Sequence, residues 1–418
     1  MTPEIEGLLR AEAPQVLGAL VRRFGRFDIA EDAVQEALLI AARTWPLEGV
    51  PDRPRSWLIR IAYRRMVDLL RSDQARRRRE LEAGTAALAM AEPTRRAQAT
   101  GLDDSLTLLL LCCHPALGHT SQVALTLRAV GGLTTAEIAH AYGTTEATMG
   151  TRISRAKQQL AKAGARFTPP TDSDRDSRMT AVLRVLYLIF NEGYTATAGA
   201  DLTRVDLTGE AIRLTRMLHA TDPDDAEVTG LLALMLLTES RRAARTDAGE
   251  LIPLAEQDST RWDRELIDEG TALIDGVWNR GPAGPYQLQA AIAAVHAAAE
   301  PDRTDWPQIA MLYLWLERLT PTPPVRLARV VAVAHAYGPA RGLALLDDLD
   351  RHHHLDRNPL TRQREYAVRA HLLQQTGDGT TAAELFRRAA DLTGNQAEQR
   401  YLRDKADRLD RHRCPPAD

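Results

Sequence analysis

Residues 133–160, LTTAEIAHAYGTTEATMGTRISRAKQQL, hold two helical patterns that meet at one glycine. Thr134 precedes Glu137 by three positions, the spacing at which a hydroxyl and a carboxylate cap a helix start reciprocally. Ile138, Ala139 and Tyr142 then supply an apolar side. Gly143 is placed to end this helix, because glycine enters the left-handed conformation without steric cost. Thr144 and Thr145 can cap a second helix, with Glu146 in its first turn favoured by the helix dipole. Met149, Ile153, Ala156 and Leu160 recur at helical spacing and are expected to face a core. The opposite side carries Gly150, Thr151, Arg152, Ser154, Arg155 and Lys157. Two short helices joined in this way predict a helix-turn-helix, whose second helix enters a DNA major groove. The alternative is an ordinary helical hairpin with a solvated basic face, and the rest of the chain decides between them.

The 418 residues allow two or three domains, and 44 % are hydrophobic, ordinary for a globular protein. Few aromatics and many Ala, Leu and Arg favour helix. No apolar run is long enough to span a membrane, and the start, MTPEIEGLLRAEAP, lacks a signal peptide's basic and apolar regions, so a cytoplasmic protein with no membrane partner is expected. The net charge of −3 hides an asymmetry: residues 1–168 carry 23 Lys+Arg against 18 Asp+Glu, and residues 169–418 carry 30 against 38. Ten arginines lie between Arg53 and Arg79, opposed only by Asp68 and Asp73. That local excess is an electrostatic footprint for nucleic acid.

Residues 4–75 read as helices throughout. DIAEDAVQEALLIAARTW (28–45) is amphipathic, with Ala33, Ala37, Ile40, Ala41 and Trp45 near one side. PLEGVPDRP (46–54) reads as a proline-punctuated loop. In RSWLIRIAYRRMVDLLRS (55–72), Trp57, Ile61, Met66 and Leu69 can pack inward while Arg60, Arg64, Arg65 and Arg71 stay outside. A polar linker is expected from about residue 76 to 100, a second small helical unit over 101–167, and a second linker over 168–177 (TPPTDSDRDS). From Arg178 to the end, an all-α extension follows in which helices pair. QLQAAIAAVHAAA goes with WPQIAMLYLWLERL, PVRLARVVAVAHAY with PARGLALLDDLD, and QREYAVRAHLLQQ with TTAAELFRRAADL. Tyr366, Ala370, Gly377, Ala382, Phe386 and Ala389 sit at tetratricopeptide spacing, and stacked hairpins of that kind make concave surfaces suited to a protein partner.

The order DIAEDAVQE, PRSWLIRIAYRRMVDLLR, linker, helix-turn-helix resembles the sigma factors of the extracytoplasmic-function group. TLLLLCCHPAL, IFNEGY, GPYQLQAAIAAVHA and NQAEQRYL resemble segments of a subgroup with a tetratricopeptide-like C-terminal extension. The resemblance implies two small helical sigma domains: region 2 over 1–75 and region 4 over 101–167, followed by the extension over 178–418. It implies that Asp32, Gln35 and Glu36 meet the β′ clamp helices of core RNA polymerase, with region 4 on the β flap. It further implies that Trp57, Arg60, Arg64, Arg65 and Arg71 serve the −10 element, and Thr148, Thr151, Arg152, Ser154 and Arg155 the −35 element of promoter DNA. The loop at 46–54 would then capture an unstacked base. Gly150 stands where related helices carry Lys or Arg, which shifts the expected base contacts toward Thr151, Ser154 and Arg155. The acidic extension is expected to control activity, either by holding the two domains in a productive spacing or by masking their arginines.

Cys112 and Cys113 are adjacent, lack the gap of a zinc knuckle and have no second pair, so they are expected to be buried small hydrophobes and no metal site is expected. His352, His353 and His354 read as a solvated turn, and NEGY (191–194) as a helix end capped by Gly193. The sequence has no phosphate-binding glycine loop, no H-E-x-x-H and no dinucleotide fingerprint, so no cofactor and no enzymatic activity are expected. The competing function is a stand-alone helix-turn-helix regulator with a helical sensor domain, which would have no need of the region-2-like stretches.

Overall fold

A computed structural model describes residues 3–83, 104–142, 144–167, 172–199, 202–247, 249–298, 304–357 and 361–413. Gly143 and residues 84–100 of the expected linker lie outside them. The chain forms two units, Met1–Leu188 and Ile189–Asp418. The described residues are almost wholly helical, with only two-residue strands.

In the first unit α1 (Pro3–Phe24), α2 (Phe27–Glu48) and α3 (Pro54–Ala83) pack together. Ala30, Ala33, Ala37 and Ala41 make a small-residue stripe on α2, fully buried, against which Leu58, Ala62 and Met66 of α3 are also fully buried. Burying a side chain the size of Leu58 or Met66 contributes about 1.5–3 kcal/mol. Trp45 is buried as its position predicts, but Ile40 is 39 % exposed and Leu38 turns inward instead. Ile40 lies about 100° round the helix from Ala41, at the edge of the buried stripe. Helix α3 runs on through Ala83, eight residues past Ala75, because QARRRRELEA consists of good helix formers.

Helices α4 (Asp104–Cys112), α5 (His119–Ala129), α6 (Thr135–Ala141) and α7 (Glu146–Lys162) follow. Every residue of α4 from Ser105 to Cys112 is buried, the behaviour of a helix that is apolar all round. Helix α8 (Asp172–Tyr194) begins inside the stretch read as a second linker. In the sequence the Pro169–Pro170 pair comes just before it, and proline is best tolerated in a helix at its first turn.

Both cysteines of α4's C-terminal end are fully buried. The Cys112 thiol reaches Leu125 O and the Cys113 thiol reaches Thr126 Oγ1, each at 3.8 Å. Burial pushes the Cys113 thiol up to about 12 and Cys112 well above the ordinary thiol range. Neither should react with a disulfide reagent such as DTNB at neutral pH until the protein unfolds; rapid labelling of Cys112 or Cys113 in the native chain would contradict this burial.

In the second unit α9 (Val205–Thr221), α10 (Ala226–Glu239) and α11 (Arg264–Val277) precede three consecutive hairpins. These are α12 (Pro285–Ala298) with α13 (Trp306–Leu319), α14 (Pro323–Tyr337) with α15 (Pro339–His353), and α16 (Arg362–Thr376) with α17 (Gly379–Leu392), the pairs expected from the sequence. Helix α18 (Gln396–Arg413) closes the series. Ala370, Ala382, Phe386 and Ala389 share one core cluster with Tyr366 packed on it, and Gly377 ends α16 with φ 94°. His352 and His353 are exposed, and His354 terminates α15 with φ 51°.

Gly193 is not a cap. Helix α8 continues to Tyr194, and a Cβ at Gly193 would sit 2.6 Å from the backbone nitrogen of Thr208. The glycine is there so that α8 and the start of α9 can touch backbone to backbone.

Candidate nucleic-acid interface

Helix α6 opens as the sequence predicts: Thr134 Oγ1 accepts from Glu137 N at 3.2 Å, and Glu137 Oε2 accepts from Thr134 N at 2.6 Å. Helix α7 is capped by Thr145, whose Oγ1 accepts from Thr148 N at 3.2 Å. Met149, Ile153, Ala156 and Leu160 are buried. Thr148, Thr151, Ser154 and Arg155 are exposed and Arg152 is half-buried. Both threonine hydroxyls are engaged locally, Thr148 with Thr145 Oγ1 at 2.8 Å and Thr151 with Ala147 O at 2.9 Å. A Cβ on Gly150 would meet only Thr135 Cγ2 at 3.8 Å, so no close approach within the fold requires the glycine.

On α3, Arg60, Arg64, Arg65 and Arg71 are all exposed. Arg65 is paired to Glu36 of α2. Trp57 is half-buried and stacks edge-on against Trp45 with ring centroids 5.6 Å apart, which makes it an anchor for the loop between α2 and α3 as much as a surface residue. Helix α2 includes Pro46 to Glu48, and Gly49 with φ 87° ends it. Leu47 and Val50, beside this turn, are 86 % and 44 % exposed.

The three α2 residues do not share one environment. Asp32 is exposed, Glu36 is half-buried, and Gln35 is buried with its Nε2 donating to Arg128 O at 3.4 Å. Leu39 and Ile40 are exposed one turn beyond Glu36 and complete an acidic and apolar face that the charge pattern alone did not mark.

Lys157 also departs from the sequence reading, which placed it on the solvated side. Its Nζ is buried against α2, 2.9 Å from Glu31 Oε2 and 2.5 Å from Asp32 Oδ1. Arg128 Nε donates to the other Glu31 oxygen at 2.8 Å. Burial alone would push Glu31 up, but the Lys157 and Arg128 charges outweigh it and hold the carboxyl below its usual range. Burial would lower Lys157, and the Glu31 and Asp32 charges raise it instead. The signal was present in the sequence. Met149, Ile153 and Lys157 are spaced i, i+4, i+8, which puts the lysine on the buried stripe. Among the described residues no group of His, Cys, Asp and Glu is arranged to hold a metal, and no helix is long and apolar enough to cross a membrane.

Comparison with known proteins follows the same division. Residues 8–77 match Sigma-70 region 2 and residues 107–160 match Sigma-70, region 4. A probable ECF RNA polymerase sigma factor, SigI of Mycobacterium tuberculosis, is 30 % identical over 156 residues, covering 36 % of this chain and 52 % of that protein. The chain belongs to the extracytoplasmic-function sigma factors. The ECF RNA polymerase sigma factor SigK of Mycobacterium ulcerans is 29 % identical over 147 residues, 35 % of this sigma factor and 78 % of that one. An uncharacterized protein of Rhizobium meliloti, R00370, is 41 % identical over 411 residues, 97 % of this chain and 96 % of its own, so the relationship extends through the C-terminal unit. Residues 178–277 match a family of unknown function, DUF6596. No solved structure is similar to the chain. Sigma factors are generally initiation factors rather than enzymes, and their Sigma-70 regions imply interaction with core RNA polymerase and promoter DNA.

Proposed function

We propose that this sigma factor engages core polymerase through the acidic and apolar face of α2, with Asp32 and Glu36 as acceptors and Leu39 and Ile40 beside them. Helix α3 serves the −10 element through Arg60, Arg64, Arg65 and Arg71, with the turn after α2 receiving an unstacked base between Leu47, Val50 and Trp57. Helix α7 serves the −35 element through Thr151, Arg152, Ser154 and Arg155, with Thr148 near its N-terminus. Residues 1–75 and 101–167 act as the two DNA-facing domains. Residues 178–418 act as a tetratricopeptide-like control domain whose hairpin surface is open to a protein partner. The observation that carries the reading is the pairing in one chain of a region 2 and a region 4, with an arginine-faced helix in the first. A stand-alone regulator has no use for that helix.

Titrating labelled chain with core polymerase tests the reading. Saturable binding that weakens when Asp32 and Glu36 are both changed to lysine, with helicity unchanged by circular dichroism, is the expected result. Tight sequence-specific DNA binding by the free chain and none to core polymerase would favour the regulator instead. Arg155→Ala should cost about 1–3 kcal/mol at one −35 position if its guanidinium grips a guanine. Uniform weakening across −35 sequences would make it a phosphate contact, and an unchanged affinity would remove it from the interface.

A further inference from the structure

The two ends of the second unit are joined. Backbone at Ala198–Gly199 pairs with Gly394–Asn395, and Asn395 Nδ2 donates to Ala196 O at 3.0 Å. From α18, Arg400 Nε donates to Glu250 Oε1 at 2.9 Å, and Lys405 Nζ lies 3.7 Å from Glu256 Oε1. An open stack of helical hairpins offers a long groove to another chain. A stack whose ends are tied offers a bounded face instead.

Five basic side chains run from neighbour to neighbour across this unit. Arg241 follows the end of α10, His296 and His335 stand in the last turns of α12 and α14, His371 is on α16 and Lys405 on α18. Trp306 sits between the first two imidazoles, edge-on to His296 with centroids 5.2 Å apart and stacked on His335 at 4.0 Å. Burial pushes His296 down to about 4, helped by the Arg241 and His335 charges. The packing around His335 lowers it too, and His371 is lowered by its surroundings and by the Lys405 and His335 charges. Arg245, buried beside Arg241, is pushed down by burial and by that like charge. Among the described residues no carboxylate pairs with Arg241, and its Nε is buried without a hydrogen-bond partner.

We infer that this face binds a small organic anion carrying two or more carboxylate or phosphate groups, with Arg241, His296 and His335 holding one end. A half-buried guanidinium without a counter-ion, next to a second one, is a standing electrostatic cost that an anion removes. The negative ends of α10, α12 and α14 favour cations nearby, but that attraction fades within the last turn and gives the Arg241 Nε no acceptor. The imidazoles are uncharged at neutral pH, and each has a ring N–H to donate. Lys405, shared only with the exposed Glu256, serves a second anionic group. A nucleic-acid strand fits poorly. The row has two fixed cations, and residues 169–418 carry 38 Asp+Glu against 30 Lys+Arg. The inference concerns the second unit alone and is independent of the promoter assignments above.

Calorimetric titration of the full chain with citrate and with pyrophosphate, at one fixed ionic strength, tests the site, and the stronger of the two tells carboxylate from phosphate. Saturable binding of at least one of them at one site per chain is expected, weakened about ten-fold by Arg241→Met, the loss of one charged hydrogen-bond partner. Arg351→Met, at the exposed end of α15, should leave it unchanged. The imidazole resonance of His335, assigned by its disappearance in His335→Phe, should titrate at higher pH with the anion bound, because a nearby negative charge favours the charged ring. The titratable groups that face it, His296 and His371, add only positive charge and cannot produce that rise. Should Arg241→Met lose helicity, His335→Phe, which can keep the stack on Trp306, carries the binding measurement and should weaken it several-fold. No saturable binding of either anion, or binding that Arg241→Met and His335→Phe leave intact, overturns the site. So does an oligoglutamate peptide that binds there more tightly than both anions, which would give the face to a protein segment.

Discussion

Replacing Glu31 with alanine should remove about 3–5 kcal/mol from the first unit, the usual consequence of leaving buried charges without their counter-ion. Lys157 and Arg128 have side chains only 10 % and 15 % exposed, and both lose their carboxylate. The expected result is therefore a lower urea midpoint for the first unit, and an unchanged midpoint would contradict the burial of these three charges together. Glu31→Gln keeps an acceptor and should lose less. The pH dependence has a definite sign. Because the folded carboxyl lies below its ordinary value of 4.5, its contribution is present above that value and fades as pH falls through the folded one. Acid should thus loosen the wild-type unit more than the Glu31→Gln variant. For Lys157 the folded value is raised, so its contribution is full below 10.5 and is lost as pH rises through the folded value.

Changing Arg60, Arg64 and Arg71 together to alanine should weaken the promoter complex roughly 50-fold at physiological salt and flatten the slope of log affinity against log salt by about 2, if each neutralises one phosphate of a single strand. All three are exposed on α3, away from the buried Leu58, Ala62 and Met66, so circular dichroism and thermal melting should be unchanged. A filter-binding or fluorescence series from low to high salt measures both numbers. An unaltered slope would place the phosphates elsewhere. Arg65 behaves differently, because Glu36 already holds it; its removal should disturb the α2 face as well as the DNA contact.

Periodicity made the helices of this chain legible, and with them most of the inward faces. Met149, Ile153 and Leu160 on α7, and Ala33, Ala37 and Trp45 on α2, are buried where their spacing puts them. The capping pair Thr134 and Glu137 was readable for the same reason: its chemistry is local. What remained hidden depends on a second element arriving from far along the chain. Glu31 and Lys157 are 126 residues apart, and nothing local distinguishes a charge destined for a buried pair from one on a solvated face. Lys157 lies on the buried stripe by its spacing, whereas its charge by itself points to a solvated face. Gly193 looked like a cap because a glycine near a helix end usually is one; only the approach of α9 explains why no Cβ fits there. Ser and Asp in 168–177 suggested a linker, whereas the same aspartates begin α8.

Run-off transcription with purified core polymerase, on a template carrying the chain's own upstream region, tests the central claim most directly. The account predicts a discrete transcript only when chain and core are both present, and its loss when Arg60, Arg64 and Arg71 are replaced together. Core polymerase that gives the same products with and without the chain, across templates, would contradict it.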